Sequence, residues 1–547
     1  MKRILFYDGI FHSGVSETDT FRFLEVTDGI ITGTYQEKPG GVKYAKEISL
    51  GGKHVYPCMI DGHIHLLHTI AVMAMGFSIS EIRENKVEPH NLAGVEKKIR
   101  EYAAKQPKNA VIAAHNYILT AIDERRLPTK DELDDWAGGR PIVIYSIDGH
   151  SSALSTKMLI KLGIDPSQHD GLLSGEAHER VQGRLTDIIG SAVTLSLLAK
   201  GCADFQNACA GYGISVVGAV EGNGDSPKDP MTSLIVKLAR HFDVGVRFYF
   251  QYFDLKRAQR FAKYQKHLRI GGCGDWEMDG SVGSHSAAFH VPYRDTGTIA
   301  SCYYNQEDVY RVVKEADEKG YQIASHAIGE AAIERIIEAL DKTTSGRMHR
   351  IEHCEFPSDK SLEDLKKLRY AVMMQLGYAW LDKRYLNTYI QYLPQEIIDH
   401  MYLKTLYDAG VCLCGSSDSP VQDLNPWLQM LGMVDFYNPG ESITPYEAFR
   451  CYTINAARAI MEEDERGTLE AGKVADFFTA DEDLFAMDPK DIIAFRPVCT
   501  YYGGRPYRRK KRNCCGAFMV IVEKGKACIK FSRSTFLAGI VFGNYCI

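Results

Sequence analysis

The sequence predicts a (β/α)8 barrel of the TIM type, with an inserted subdomain after the first barrel strand and a small β-sandwich built from both chain ends. Three observations predict it. Eight apolar, β-branched runs recur along the middle of the chain with amphipathic helical patterns between them, the alternation of a parallel sheet wrapped by helices. The first and second of these runs stand much farther apart than one crossover helix requires. Short strand-and-turn segments flank the whole set at both ends.

Taken in order, the N-terminal segment reads as strands over residues 3–7, 21–27 and 29–35, punctuated by Gly40-Gly41 and Gly51-Gly52. The eight barrel runs are 55–60, 214–220, 244–251, 268–279, 321–326, 349–353, 371–376 and 411–416, with helical patterns such as 306–319 and 330–342 in the gaps. The insertion, 77–211, holds strand-like runs at 111–117 and 141–147, and the second ends in the polar loop Asp148-Gly149-His150-Ser151. Because it leaves the barrel where the first strand ends, it should sit over the active face as a partial lid. Beyond the eighth run, 444–459 reads as a capped helix, and Gly467 to Phe478 returns to turn-and-strand character that should pair with the N-terminal strands. The expected division is a composite β unit (1–54 and 436–507), the barrel with its insertion (55–435) and a tail (508–547) of unassigned role. That tail reads as a solvated basic run, Arg508-Arg509-Lys510-Lys511-Arg512, followed by a loosely attached strand pair. Palmitoylation of Cys514-Cys515 beside the basic run is the weaker alternative.

A chain of 547 residues buries a large core, and its 24% charged and 45% apolar composition is that of a globular protein. The net charge of -6 is small for this size and argues against nucleic acid as the main partner. Asp8 follows the basic opening before any signal-length apolar stretch develops, and the apolar run 536–542 falls short of the roughly 20 residues a membrane span needs. Fourteen cysteines without repeated spacing or CxxC pairs fit a reducing cytoplasm and are weak metal ligands; Cys354, Cys412 and Cys414 read as small buried hydrophobes.

The chemistry starts at Val55-Tyr56-Pro57-Cys58-Met59-Ile60-Asp61-Gly62-His63-Ile64-His65, an apolar run ending in two histidines one residue apart. Alternation along a strand turns His63 and His65 the same way, so that both reach one ion. Alone, such a pair reads equally well as two exposed histidines after a strand. Three more polar residues close later barrel runs: His326, His353 and Asp418. Singly, they suit a helix cap, a partner for a buried carbonyl and an Asx-turn before Pro420. At the C-terminal ends of barrel strands they converge on one mouth, and four histidines with one aspartate make a metal site.

The chain on these residues resembles the amidohydrolase superfamily, specifically amidohydrolase family 3, the branch that includes N-substituted formamide deformylases. The matching signatures are Ile60-Asp61-Gly62-His63-Ile64-His65, Ile147-Asp148-Gly149-His150-Ser151, Asp279-Gly280-Ser281-Val282-Gly283, His326-Ala327-Ile328-Gly329, Arg350-Ile351-Glu352-His353, Ser417-Asp418-Ser419-Pro420 and Gly472-Lys473-Val474-Ala475-Asp476. They run in family order from near residue 3 to about 507, and the tail matches nothing in the pattern.

The resemblance implies a hydrolase in which His63, His65, His326, His353 and Asp418 hold or surround a divalent metal, most often zinc, that supplies hydroxide at neutral pH. It implies Asp418, His353 and His150 as the catalytic set. Asp418 accepts the proton of water and passes it to the leaving nitrogen, and His150 either donates to the oxyanion, positions substrate or is structural under the lid. The family commonly carries a lysine four residues before the Asp-Gly pair of the fourth strand, and its carboxylated form bridges two metals. Here that position is Asp275, which alternation would place on one face with Glu277 and Asp279. Aspartate is shorter, so one zinc is favoured, with two still open and Asp275 kept among the metal candidates. The expected reaction is hydrolysis of a non-peptide carbon-nitrogen bond in an N-acyl amine, formamide or related amide. Deamination of a cyclic amidine or nucleobase-like ring is the alternative, and an inactive barrel serving as a scaffold the third reading. Tyr117, Tyr145 and Trp136 suggest a partly apolar pocket. Expected partners are a small-molecule substrate and at most a second copy of the chain, with no nucleic acid and no membrane.

Overall fold

The computed structural model describes residues 2–83, 86–226, 228–367 and 369–510, together with the backbone of two paired strands, Phe518–Glu523 and Lys526–Phe531. Lys511, Arg512, the Cys514-Cys515 pair and the apolar run 536–542 lie outside the described residues.

Eight parallel strands follow one another around a barrel: β1 (Met59–Ile64), β2 (Ile214–Glu221), β3 (Gly245–Phe250), β4 (Arg269–Gly271), β5 (Gln322–Ala327), β6 (His349–His353), β7 (Tyr370–Met374) and β8 (Cys412–Gly415). Every neighbouring pair from β1 to β8 is hydrogen-bonded in chain order. The sheet closes just past β8, where Ile64 bridges Ser419, the Asp418 amide donates to the His63 carbonyl at 2.9 Å, and the His65 amide donates to the Ser419 carbonyl at 2.8 Å. Buried Asp61 adds a side-chain tie across the same seam, accepting from the Ser417 amide at 3.0 Å. β1, β2, β5, β6 and β7 are buried at every position, as strands covered on both faces must be.

Two barrel strands differ from their expected bounds by more than two residues at an end. The apolar run that begins at Val55 is shared between two sheets: Val55 to Pro57 end the strand Lys46–Pro57 of the terminal sheet, and β1 starts only at Met59. The proline supplies no ladder donor, so the chain changes sheets there. The fourth run is cut short more sharply. Gly271 and Gly272 both take left-handed φ, 97° and 106°, and a Cβ on Gly271 would stand 1.9 Å from the Ala324 carbonyl oxygen. β4 therefore ends at Gly271 and a 3-10 turn, Gly274–Trp276, follows.

Both chain ends share one eight-stranded sheet. Strand Phe477–Ala480 pairs antiparallel with Lys46–Pro57, which in turn lies parallel to Arg3–His12. The segment read as one helix over 444–459 is two, Pro445–Tyr452 with a Thr444/Glu447 capping box and Ile454–Ala459, broken at Thr453. The insertion has its own core and a four-stranded sheet whose order is Leu172–Ser174, Ser151–Leu154, Ile142–Ser146, Ile112–Tyr117. Trp136 and Tyr117 are buried in that core. No single helix among the described residues is long and apolar enough to cross a membrane; the bent pair that comes nearest, Gln182–Ala192 with Leu195–Tyr212, turns through 109° at its break.

Candidate metal and catalytic site

His63 stands near the end of the fully buried β1, at the barrel mouth, while His65 sits just beyond it as the residue that opens helix Leu66–Met75. Their Nε2 atoms both lie 3.2 Å from Asp418 Oδ1. Asp418 reaches them because its own backbone is left-handed (φ 56°), anchored by the seam bond to His63. His326 and His353 come from the ends of β5 and β6, their rings 4.4 Å apart, and the His63 ring is 5.4 Å from that of His353.

The orientation of His63 and His353 is fixed from behind. Glu352 accepts from His63 Nδ1 at 2.6 Å, which turns Nε2 into the mouth. Burial opposes an ionised Glu352, but the guanidinium of Arg350, bonded to both carboxylate oxygens at 2.8 and 2.7 Å, holds its carboxyl down to about 2. Gln375 does the same for His353: its Oε1 accepts from Nδ1 at 2.6 Å while its amide donates to Ser416 Oγ at 2.8 Å. Burial pushes Asp418 up, yet the adjacent His63 and His65 hold it well below the usual carboxylate range. Asp279 is saturated by three backbone amides, those of Ile328, Ala288 and Gly329 at 2.8–3.0 Å, and so shapes the loop after β5.

The insertion supplies His150. It stands in the tight turn between strands Ile142–Ser146 and Ser151–Leu154, where Gly149 takes φ 76° and Asp148 ties the turn to Ser281 Oγ at 2.7 Å. His150 Nδ1 is 3.0 Å from Glu179 Oε1, and its ring is 5.1 Å from His326. Burial alone would lower its pKa, but Glu179 raises it to about 10, so the ring is cationic at neutral pH. Glu277 lies close to both, its Oε1 accepting from the Gly274 amide at 2.8 Å.

Asp275 is not brought to this cluster. It lies in the 3-10 turn, and its carboxylate accepts from the Phe253 amide at 2.9 Å. The residue that takes the inward place after β4 is Cys273, whose Sγ is 3.6 Å from His63 Nε2. Sequence reasoning passed over it, although three glycines around one cysteine (Gly271-Gly272-Cys273-Gly274) mark a strand that cannot continue. Glu179 and Gln375 carried no motif and were also missed. Of the three aromatic residues assigned to the pocket, only Tyr145 lines it.

The donor set fits a divalent cation. Both ring nitrogens of His326, Nε2 of His353 and Oδ1 of Asp418 are buried without a hydrogen-bond partner, an arrangement costly unless a ligand satisfies them. The donors fall into two overlapping groups, His63 with His65 and Asp418, and His63 with Cys273 and His353. They open into a cavity of about 170 Å3 whose walls are largely apolar, with Leu67, Ala71, Val72, Met75, Phe77 and Ile189.

Comparison with known proteins agrees with this geometry, since the family model described as Amidohydrolase family matches residues 46–507. The chain belongs to the amidohydrolase family. It is 24% identical to YtcJ of Bacillus subtilis (strain 168) over 90% of this chain and 96% of that one. It is 22% identical to N-substituted formamide deformylase of Arthrobacter pascens over 87% and 92% of the two chains. Among solved structures, an uncharacterized metal-dependent hydrolase from Pyrococcus horikoshii superposes with a TM-score of 0.68 at 20% identity, covering 89% of this amidohydrolase and 99% of its own chain.

Proposed function

We propose that this amidohydrolase is a metal-dependent enzyme that cleaves a non-peptide carbon-nitrogen bond, with N-formyl and other N-acyl amines bearing an apolar N-substituent as its substrates. The observation that carries the reading is the convergence of His63, His65, His326, His353, Cys273 and Asp418, several with unpartnered donor atoms, at the mouth beneath the insertion. The apolar cleft walls suit a hydrophobic N-substituent. The resemblance to the Arthrobacter deformylase supports the formyl end of that class.

Zinc or a similar divalent ion bound by these residues would polarise the scissile carbonyl and lower the pKa of water to about 7. The protein does the rest. His63 and His353 are held in one tautomer by Glu352 and Gln375, so their Nε2 lone pairs face the mouth. Asp418, kept ionised by His63 and His65, takes a proton at Oδ1 and returns it to the leaving nitrogen. His150, kept cationic by Glu179, uses the ring edge opposite its Glu179 bond to donate to the developing oxyanion.

The test is a turnover screen of zinc-loaded full-length protein against N-substituted formamides, longer N-acyl amines, Xaa-Pro dipeptides and cyclic amidines, following amine and ammonia separately. Turnover of the first two classes with amine release is the expected result. Ammonia from the amidines without amide turnover would replace this reading with deamination, and turnover confined to dipeptides would make the enzyme a peptidase.

A further inference from the structure

A second histidine cluster stands on the terminal sheet, away from the barrel mouth. His12 ends the strand Arg3–His12, and the parallel register Ile10 with His54 and Phe11 with Val55 puts His12, His54 and Tyr56 on one face by alternation. His12 Nε2 and His54 Nδ1 are 3.0 Å apart. Asp483, from the loop after strand Phe477–Ala480, completes the group, with one donor atom of each residue within 4.8 Å of the others.

We propose that His12, His54 and Asp483 form a second binding site for a divalent first-row transition metal of the zinc class, which pins the C-terminal segment to the N-terminal strands. Two imidazole nitrogens and one carboxylate oxygen are a zinc donor set with one position left for water. Imidazole donors disfavour magnesium and calcium, which take oxygen.

The surroundings are built as those of a ligand site. Asp483 Oδ1 is occupied by the Tyr56 hydroxyl at 2.9 Å and the Phe485 amide at 3.1 Å, which fixes the carboxylate and leaves Oδ2 free of both. The His12 ring lies flat on Tyr56, centroids 4.4 Å apart, with Phe485 edge-on at 5.5 Å. Its Nδ1 is buried and unpartnered, and the residue is only 5% exposed. His54 and Asp483 are half-buried, which gives an ion a way in.

The test uses the full-length chain equilibrated with zinc sulfate and desalted, then analysed for zinc per chain and for melting temperature with and without added zinc. His54→Gln and Asp483→Asn are the variants, since neither side chain is core packing. Each should carry one equivalent less than wild type and lose the part of the zinc-dependent rise in melting temperature that His63→Ala retains. Substitution of cobalt should show tetrahedral absorption at this site in His63→Ala that is absent from the His54→Gln/His63→Ala double variant. Equal zinc content in wild type, His54→Gln and Asp483→Asn would overturn the proposal and reduce the pair to a hydrogen-bonded imidazole dimer. Loss of an equivalent in His63→Ala alone would do the same while leaving the barrel-mouth metal in place, so the two readings fail separately.

Discussion

The two ends of the barrel treat buried charge in opposite ways. At the C-terminal mouth, buried donor atoms of His326, His353, Asp418 and Glu277 are left without hydrogen-bond partners. At the N-terminal end, Glu462 is 3% exposed and closed in by three guanidiniums: Arg247 Nη2 at 2.8 Å, Arg466 Nε at 2.8 Å and Arg269 Nη2 at 3.2 Å. Arg269 also donates to the Ile460 carbonyl at 2.6 Å, and Tyr249 to Gln322 at 2.8 Å. A carboxylate closed in by guanidiniums contributes to folding, whereas donors left open at the mouth are kept for a ligand. The difference matches the division of labour between the two faces of such barrels.

Substitutions at the two ends should therefore separate activity from stability. The largest effect is expected for Asp418→Asn, which should retain metal and melt as wild type while turnover falls about 10⁴-fold, as loss of a general base does; near-normal rates would remove Asp418 from proton transfer. Glu462→Gln should do the reverse. Leaving three guanidiniums without their carboxylate should cost about 3–5 kcal/mol in a denaturant titration with kcat unchanged. Arg247 and its neighbours hold the Glu462 carboxyl down to about 2 against its usual 4.5, although burial alone would raise it. Its contribution is thus fully present above pH 4.5 and is lost as pH falls toward 2. Acid unfolding of Glu462→Gln should accordingly lose part of the wild-type slope in that window, and an unchanged slope would show that the network does not couple to folding.

Smaller effects sharpen the mouth itself. His150→Ala should lower kcat about 10²–10³-fold with metal content intact, the loss typical of one oxyanion donor. A rise in KM alone would make His150 a positioning residue instead. Glu352→Gln should weaken metal affinity about 10–100-fold, because His63 loses the partner that fixes its tautomer; a chelator competition titration reads this directly.

Much of the mouth was legible in the sequence because parallel strands place their C-terminal residues together whatever the loops do. His63, His65, His326, His353 and Asp418 needed only strand positions to be grouped, and His150 needed only the strand that precedes it. What was illegible came from backbone geometry. Alternation carried through Gly271-Gly272 would turn Asp275 inward along with Cys273, but two left-handed glycines end β4, and the 3-10 turn after it leaves only Cys273 against His63. Pro57 moved the start of β1 in a similar way. The supports Glu179 and Gln375 escaped because each is joined to its histidine by folding across elements, with no spacing to mark it.

The central claim is that the unpartnered donors at the mouth hold a divalent metal on which turnover depends. It is tested most directly by elemental analysis of wild type and His63→Ala, with circular dichroism to confirm the fold. The account predicts that His63→Ala keeps its fold, carries at least one metal equivalent less than wild type and has no detectable turnover. Equal metal content in the two proteins would contradict it.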